Sequence, residues 1–192
     1  MKVREQTILE TVLPIFIKQG IRATTLTEVA RANGMPVQEL RTHFRSKKGL
    51  VFAFVEYLLA RHTSYLQINP ALSPTAIIEL QNFFLFIEKL ASEFTPTMLF
   101  ELKRYDRTSW EKLVEFRKHS LVPYLQKNLK RGINEGNYRH DIDLNLYAAL
   151  YFNLLYAVIT EHNGQVDDSQ RMLPEFNNVF LRGMLSTQAC RM

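Results

Sequence analysis

Apolar residues recur three and four positions apart along nearly the whole chain, and no stretch alternates with period two between hairpin turns. The pattern predicts an all-α protein. A first helix is expected over about Glu5 to Lys18, with Ile8, Val12, Ile15 and Phe16 on its buried side. Gly20 should end it, and Pro14 should kink it by removing the amide that bonds to the Glu10 carbonyl. Thr25 with Glu28 three residues on has capping-box spacing, so a second helix starts there and buries Leu26, Val29 and Ala30. Gly34 permits a tight turn, and Pro36 suits the first position of a third helix striped by Leu40 and Phe44. Ser46 caps a fourth helix from about Lys47, carrying Leu50, Phe54, Tyr57 and Leu58.

Beyond this point the segments lengthen and become more apolar. "NPALSP" (69–74) reads as a loop, followed by a helix from Thr75 to about Phe94 that is apolar on more than one side. Pro96 suits the start of a short helix. Residues 109–136 read as one long helix capped by Ser109 and bent where Pro123 breaks the bond to the His119 carbonyl. Residues 143–163 are almost continuously apolar, and a last helix covers about Pro174 to Ser186. The 143–163 segment is barely long enough to span a bilayer, contains Asn145 and Asn153 and has acids at both ends, so a membrane span is not expected.

Charge changes the picture. Residues 1–50 hold nine basic and four acidic residues, so the whole formal excess of +5 sits in the first quarter of the 192-residue chain. The remainder is balanced. A basic end on a neutral body fits a polyanion-binding module joined to a domain of another kind; the alternative is an uneven but solvated surface. The division expected is a helix-turn-helix domain over 1–50 and a larger helical domain over 51–192, to which the resemblance set out below gives ligand binding and dimerisation. Cys190 is the only cysteine, so no internal disulfide is possible, which fits a reducing cytosol, and the N-terminal stretch lacks the features of a signal peptide.

The short third helix poses the functional question. With Leu40 and Phe44 anchored, Gln38 and Thr42 point outward, flanked by Glu39, Arg41, His43 and Arg45. A short polar helix after a tight turn, on a basic unit, can enter a DNA major groove; the alternative is the polar outer face that short helices of any bundle present. No HExxH, CxxC, P-loop or GxSxG pattern occurs, so enzyme chemistry, a cofactor and a metal site are not expected. The pair Asp141 and Asp143 fits helix capping better than catalysis.

These residues resemble the N-terminal module of the TetR family of bacterial transcriptional regulators. The matching skeleton is Ile8, Phe16, Gly20, Thr24, Thr25, Val29, Ala30, Gly34, Leu40, His43, Phe44, Lys47 and Leu50, ungapped over about 45 residues. "RGINEGNYRHDID" (131–143) and "FLRGML" (180–185) look like later segments of such proteins. The resemblance implies a homodimer whose recognition helices occupy successive major grooves of a near-palindromic operator. It also implies a C-terminal domain that binds a small inducer, a repressor more than an activator, and a cytoplasmic protein on the nucleoid when bound. By position, Val37, Gln38, Glu39, Arg41, Thr42 and His43 would face the operator, while Thr25 and Lys47 would hold phosphates.

Some positions depart from the family or stay open. Pro36 stands where many members have a capping Ser, and Arg41 where Tyr is usual; an Arg there takes a phosphate or the O6/N7 edge of guanine. Val37 fits either the core stripe or a thymine methyl, and Glu39 either cytosine N4 or the helix dipole.

For the larger part, Phe83, Phe86, Met98 and Phe100 are candidates to line an apolar ligand pocket, with His119 as a polar contact; ordinary core and a surface histidine are the alternatives. Tyr147, Tyr151, Leu154, Val158, Phe176, Phe180 and Met184 are candidates for a four-helix dimer interface, against an internal core helix. Two other functions fit the sequence less closely: a helical small-molecule carrier with an incidental basic end, and a non-specific architectural DNA binder.

Overall fold

The computed structural model describes residues 3–160 and 166–187. Among the described residues ten α-helices follow one another: α1 (Val3–Ala23), α2 (Leu26–Ala32), α3 (Val37–Phe44), α4 (Lys47–Leu72), α5 (Ala76–Glu93), α6 (Pro96–Tyr105), α7 (Arg107–Phe116), α8 (Val122–Asn134), α9 (Leu144–Thr160) and α10 (Val166–Met184). A π-helical segment, Arg117–Leu121, joins α7 to α8. Among the described residues no strand forms, only an isolated antiparallel bridge between Tyr138 and Leu185. The fold is all-α, as the periodicity predicts. The chain divides into two compact units, residues 1–62 with 93–115, and residues 63–92 with 116–192.

The first unit is built on α1 to α4. Ile8, Leu9, Val12 and Phe16 of α1 are buried, and Phe16 meets Phe54 of α4 edge-to-face at 5.0 Å. Non-helical torsions in α1 fall at Gly20 (φ 79°, ψ 168°) and not at Pro14, which lies on the exposed side. The Thr25–Glu28 capping box forms in full. Ser46 accepts from the Gly49 amide and caps α4 where the sequence places it. Residues 93–115 join this unit through a buried acid. Glu93 accepts from Arg61 and pairs with the His62 ring at 2.8 Å. Burial raises the Glu93 carboxyl pKa, but the His62 hydrogen bond and the Arg61 charge outweigh it and hold the group below its ordinary value.

The second unit centres on aromatic rings. Phe83 stacks on Tyr124 at 4.8 Å, and the fully buried Tyr151 packs against Phe84, Phe152, Phe176 and Phe180. The Tyr151 hydroxyl donates to Asn177, whose amide donates to Glu88, so the polar groups inside this cluster are paired. Arg131 gathers the turn after α4. Its guanidinium donates to Glu79 and to the carbonyls of Ser73 and Pro74, while its Nε donates to Glu135.

Four boundaries differ from expectation. α4 runs on through Pro70 to Leu72, so "NPALSP" is mostly helix. Just past the end of this helix, Arg131 donates to the Ser73 and Pro74 carbonyls. The helix expected over 109–136 is three pieces. The Val122 amide reaches back five residues to the Arg117 carbonyl, and this π segment accommodates Pro123. Ser109 is not a cap: Asp106 accepts from its amide and its hydroxyl, and the helix starts at Arg107. α10 begins at Val166 and carries Pro174 within it.

Asp143 does cap α9, accepting from the amides of Asn145 and Leu146 at 2.9 Å each. No helix of the described residues is long and apolar enough to cross a membrane.

Candidate nucleic-acid interface

The third helix is short enough to need support, and its sequence supplies it. Leu40 is 0% exposed and Phe44 7%, so one stripe of α3 is locked into the first unit. The preceding turn is closed by backbone bonds from Gly34 to Arg31 and from Met35 to Ala30, with Gly34 at φ 61°. Pro36 sits one residue earlier than expected, as the N-cap, with an extended backbone and no side-chain capping bond.

The outer face presents Gln38, Arg41 and Thr42 to solvent. The Thr42 hydroxyl donates to the Glu39 carbonyl at 2.7 Å, which leaves its lone pairs and methyl group facing outward. Glu39 pairs with Arg4 at 3.3 Å, so α1 partly neutralises the one acid of this helix. Val37 is half-buried, between the two positions the sequence leaves open.

His43 is turned away from the outer face. Its Nδ1 lies 3.6 Å from the Glu5 carboxylate, at the edge of a groove of about 450 Å³ lined also by Arg45, Ala53, Glu56 and Tyr57.

The two expected phosphate ligands are partly engaged. Thr25 Oγ accepts from the Glu28 amide and donates to its carboxylate. Lys47 Nζ donates to the Arg22 carbonyl at 2.7 Å. Partial burial holds the Lys47 pKa below the ordinary lysine value, against the raising influence of Glu101. An ammonium has three donors, so the Arg22 bond leaves two for other acceptors.

Arg45 is a feature that sequence reading underweights. Among the described residues it is the non-glycine one at positive φ (59°, ψ −46°), exposed, between the end of α3 and the cap of α4. The Ser46 amide donates to the Phe44 carbonyl at 2.6 Å, so Arg45 is the centre of a tight γ-turn, a strained conformation. Nothing in "HFRSKK" announces it, since neither Gly nor Asn stands there.

Thus an anchored short helix, a tight glycine turn and a cationic margin of Arg22, Arg31, Arg41, Arg45 and Lys48 stand together in one unit. The profile described as "Bacterial regulatory proteins, tetR family" matches residues 8–54, from α1 into α4. Residues 8–54 thus carry the N-terminal module of the TetR family. Among TetR-family relatives, the HTH-type transcriptional repressor KstR2 of Mycolicibacterium smegmatis is 25% identical over 150 residues, covering 74% of this chain and 71% of that protein. The structure of the ketosteroid transcriptional regulator KstR2 of Mycobacterium tuberculosis matches with a TM-score of 0.67 at 18% identity, over 97% of both chains. FadR of Bacillus subtilis, solved in complex with stearoyl-CoA, matches with a TM-score of 0.70 at 14% identity, over 93% of this chain and 98% of that one. These structural likenesses show the TetR fold. Together these matches support a transcriptional regulator of the TetR kind, and no set of residues in the described part gathers into a metal site.

The residues proposed for other sites are scattered. Phe83 and Phe86 are buried in the second unit and Met98 in the first, while Phe100 is 59% exposed and His119 is on the surface. Of the seven residues proposed for a dimer interface, Leu154 is exposed. Tyr147, Val158, Phe176 and Phe180 are half-buried, and Tyr151 and Met184 are at 0% exposure inside the unit.

Proposed function

We propose that this regulator is a homodimeric repressor that binds a near-palindromic operator and leaves it when a small, largely apolar ligand occupies the C-terminal part of the chain. The observation that carries the DNA reading is the outer face of α3. Gln38, Arg41 and Thr42 are exposed on a helix whose opposite stripe, Leu40 and Phe44, is buried. Polar side chains held rigidly at helical spacing are what base-edge readout requires. Thr25, Lys47 and Arg45 are assigned to phosphates, Val37 and Glu39 to the margin of the contact, and His43 to the support of α3 through Glu5.

Arg41→Ala is expected to weaken specific binding by about 1–3 kcal/mol if the guanidinium reads a guanine edge, and to relax preference at that base pair. If it holds a phosphate, affinity drops uniformly across sequences and the salt slope falls by about one. Gel shifts at several salt concentrations separate these outcomes and test the function. A carrier protein shifts no duplex. An architectural binder shifts every duplex alike, with a steep salt dependence. A repressor prefers one site by several kcal/mol.

The dimer reading rests on α9 and α10. Leu146, Leu150 and Leu154, one turn apart on α9, are 55%, 44% and 50% exposed, and Met172 and Val179, two turns apart on α10, are 43% and 69% exposed. Large apolar side chains in such rows favour burial against a second copy. We assign the interface to this face, keeping Leu154 and leaving Tyr151 and Met184 to the core. Leu150→Lys should weaken the dimer by about 2 kcal/mol or more, roughly thirtyfold. Sedimentation velocity at micromolar concentration reads this; an unchanged dimer places the interface elsewhere.

The ligand reading is supported by the aromatic cluster around Phe83 and Phe86, and by one protein of like fold, FadR of Bacillus subtilis, solved with stearoyl-CoA, whose acyl chain is apolar. Phe100 and His119, both on the surface, receive no part in it.

A further inference from the structure

The α1–α2 connection is gripped by a helix eighty residues away in sequence. Gly20 leaves helical torsions at φ 79° and ψ 168°, so the amides of Ile21 and Arg22 turn out of the α1 bonding pattern. Both donate to Glu101 Oε2 of α6, at 2.7 Å and 3.2 Å. A Cβ at Gly20 would stand 3.0 Å and 3.2 Å from the Glu101 carboxylate oxygens, so the carboxylate approaches this closely because residue 20 is glycine. One turn later on α6, the Tyr105 ring lies under the Arg22 guanidinium, 4.3 Å from its centroid. On the far side of the same residue the Arg22 carbonyl accepts from Lys47 Nζ at 2.7 Å. The Thr24 hydroxyl closes the turn onto the Gly20 carbonyl at 2.8 Å, and Thr25 then caps α2.

We infer that Glu101 is a positioning residue for DNA binding: by holding the Ile21 and Arg22 amides it fixes the turn that places both Lys47 and the capped start of α2. α6 is therefore a working part of the DNA-reading unit, and a shift of α6 along its axis withdraws one acceptor from two amides at once. This rests on the DNA reading above. Glu101 touches no nucleic acid in it and acts through the turn alone.

The test compares Glu101→Ala, Glu101→Gln and Glu101→Asp with the wild-type full-length chain. Two measurements are made: hydrogen exchange of the Ile21 and Arg22 amides, and affinity for the duplex that the wild-type chain selects from random DNA. Glu101→Ala leaves both amides unpaired. It should speed their exchange and weaken binding about tenfold or more, with exchange in α9 unchanged. Glu101→Gln keeps an acceptor oxygen at the same reach and should bind within about threefold of wild type. Glu101→Asp, one methylene shorter, should behave as Ala does, so the Asp–Gln contrast decides the matter even if the alanine variant fails to fold. Fast amide exchange with unchanged affinity overturns the positioning role, and unchanged exchange overturns the latch itself. A wild-type chain that selects no duplex overturns the DNA reading and this inference with it, and that failure shows before any variant is made.

Discussion

Replacing Gly49 with alanine is expected to abolish specific DNA binding and to destabilise the first unit by about 2 kcal/mol or more. A Cβ at this position would stand 2.2 Å from the Phe44 carbonyl oxygen and 3.3 Å from its carbon. The obstacle is backbone, so no change of side-chain rotamer relieves it. The Phe44 carbonyl is also the acceptor of the γ-turn around Arg45, and Gly49 donates to the Ser46 cap of α4. The last turn of α3 and the first turn of α4 must therefore part, and α3 loses the register that sets its outer face. The ~1 kcal/mol by which alanine exceeds glycine in helix propensity offsets only part of this. Gly183→Ala in α10, one turn from Val179 on the proposed dimer face, gives the contrast within a single protomer. Its added Cβ meets nothing within 4 Å, and about 0.5–1 kcal/mol of stabilisation is expected. Thermal melts and gel shifts of the two variants check the contrast. A Gly49→Ala protein that melts and binds as wild type refutes the account of the junction.

Gly132→Ala should strike the second unit as hard. The new Cβ would lie 2.1 Å from two ring carbons of Tyr138. Tyr138 is 2% exposed, and its hydroxyl lies 3.0 Å from the Ala76 carbonyl, to which it donates, and 3.2 Å from Asn128 Oδ1. The ring cannot step aside without giving up those partners and the bridge to Leu185 beside it. Expelling a buried aromatic ring costs about 3–5 kcal/mol, and helix propensity returns about 1, so the melting temperature should fall by roughly 5–15 °C. The double variant Gly132→Ala with Tyr138→Ala should be little worse than Tyr138→Ala alone, because the clash partner is gone. Calorimetry of the three proteins measures this coupling. Additive losses would show that the ring and the glycine are independent.

The head of the protein was legible because its signals are local. A capping box is a four-residue motif, the Leu40–Phe44 stripe spans one turn, and Ser46 precedes the helix it caps. What the sequence hid depends on groups far apart in the chain. Glu101 reaches Ile21 across eighty positions, and Arg131 meets carbonyls nearly sixty residues before it. Pro70 and Pro123 read as breaks, yet helical structure runs through both, and at Pro123 a π segment takes up the missing amide.

α9 shows another limit. Its residues are apolar on nearly every side, so periodicity could not separate an inward row from an outward one. Tyr151 turned inward, while Leu146, Leu150 and Leu154 stayed out. The strained turn at Arg45 had no marker because its residue type is ordinary; the nearby sign was Gly49, whose missing side chain makes room for the Phe44 carbonyl.

The most direct test is selection of bound fragments from random double-stranded DNA by the purified full-length chain, followed by sequencing. One enriched near-palindrome is expected, with half-site centres a helical turn, about 34–36 Å, or a multiple of that apart, and with enrichment lost in Gly49→Ala. Recovery of fragments with no shared sequence, or of none at all, would contradict it.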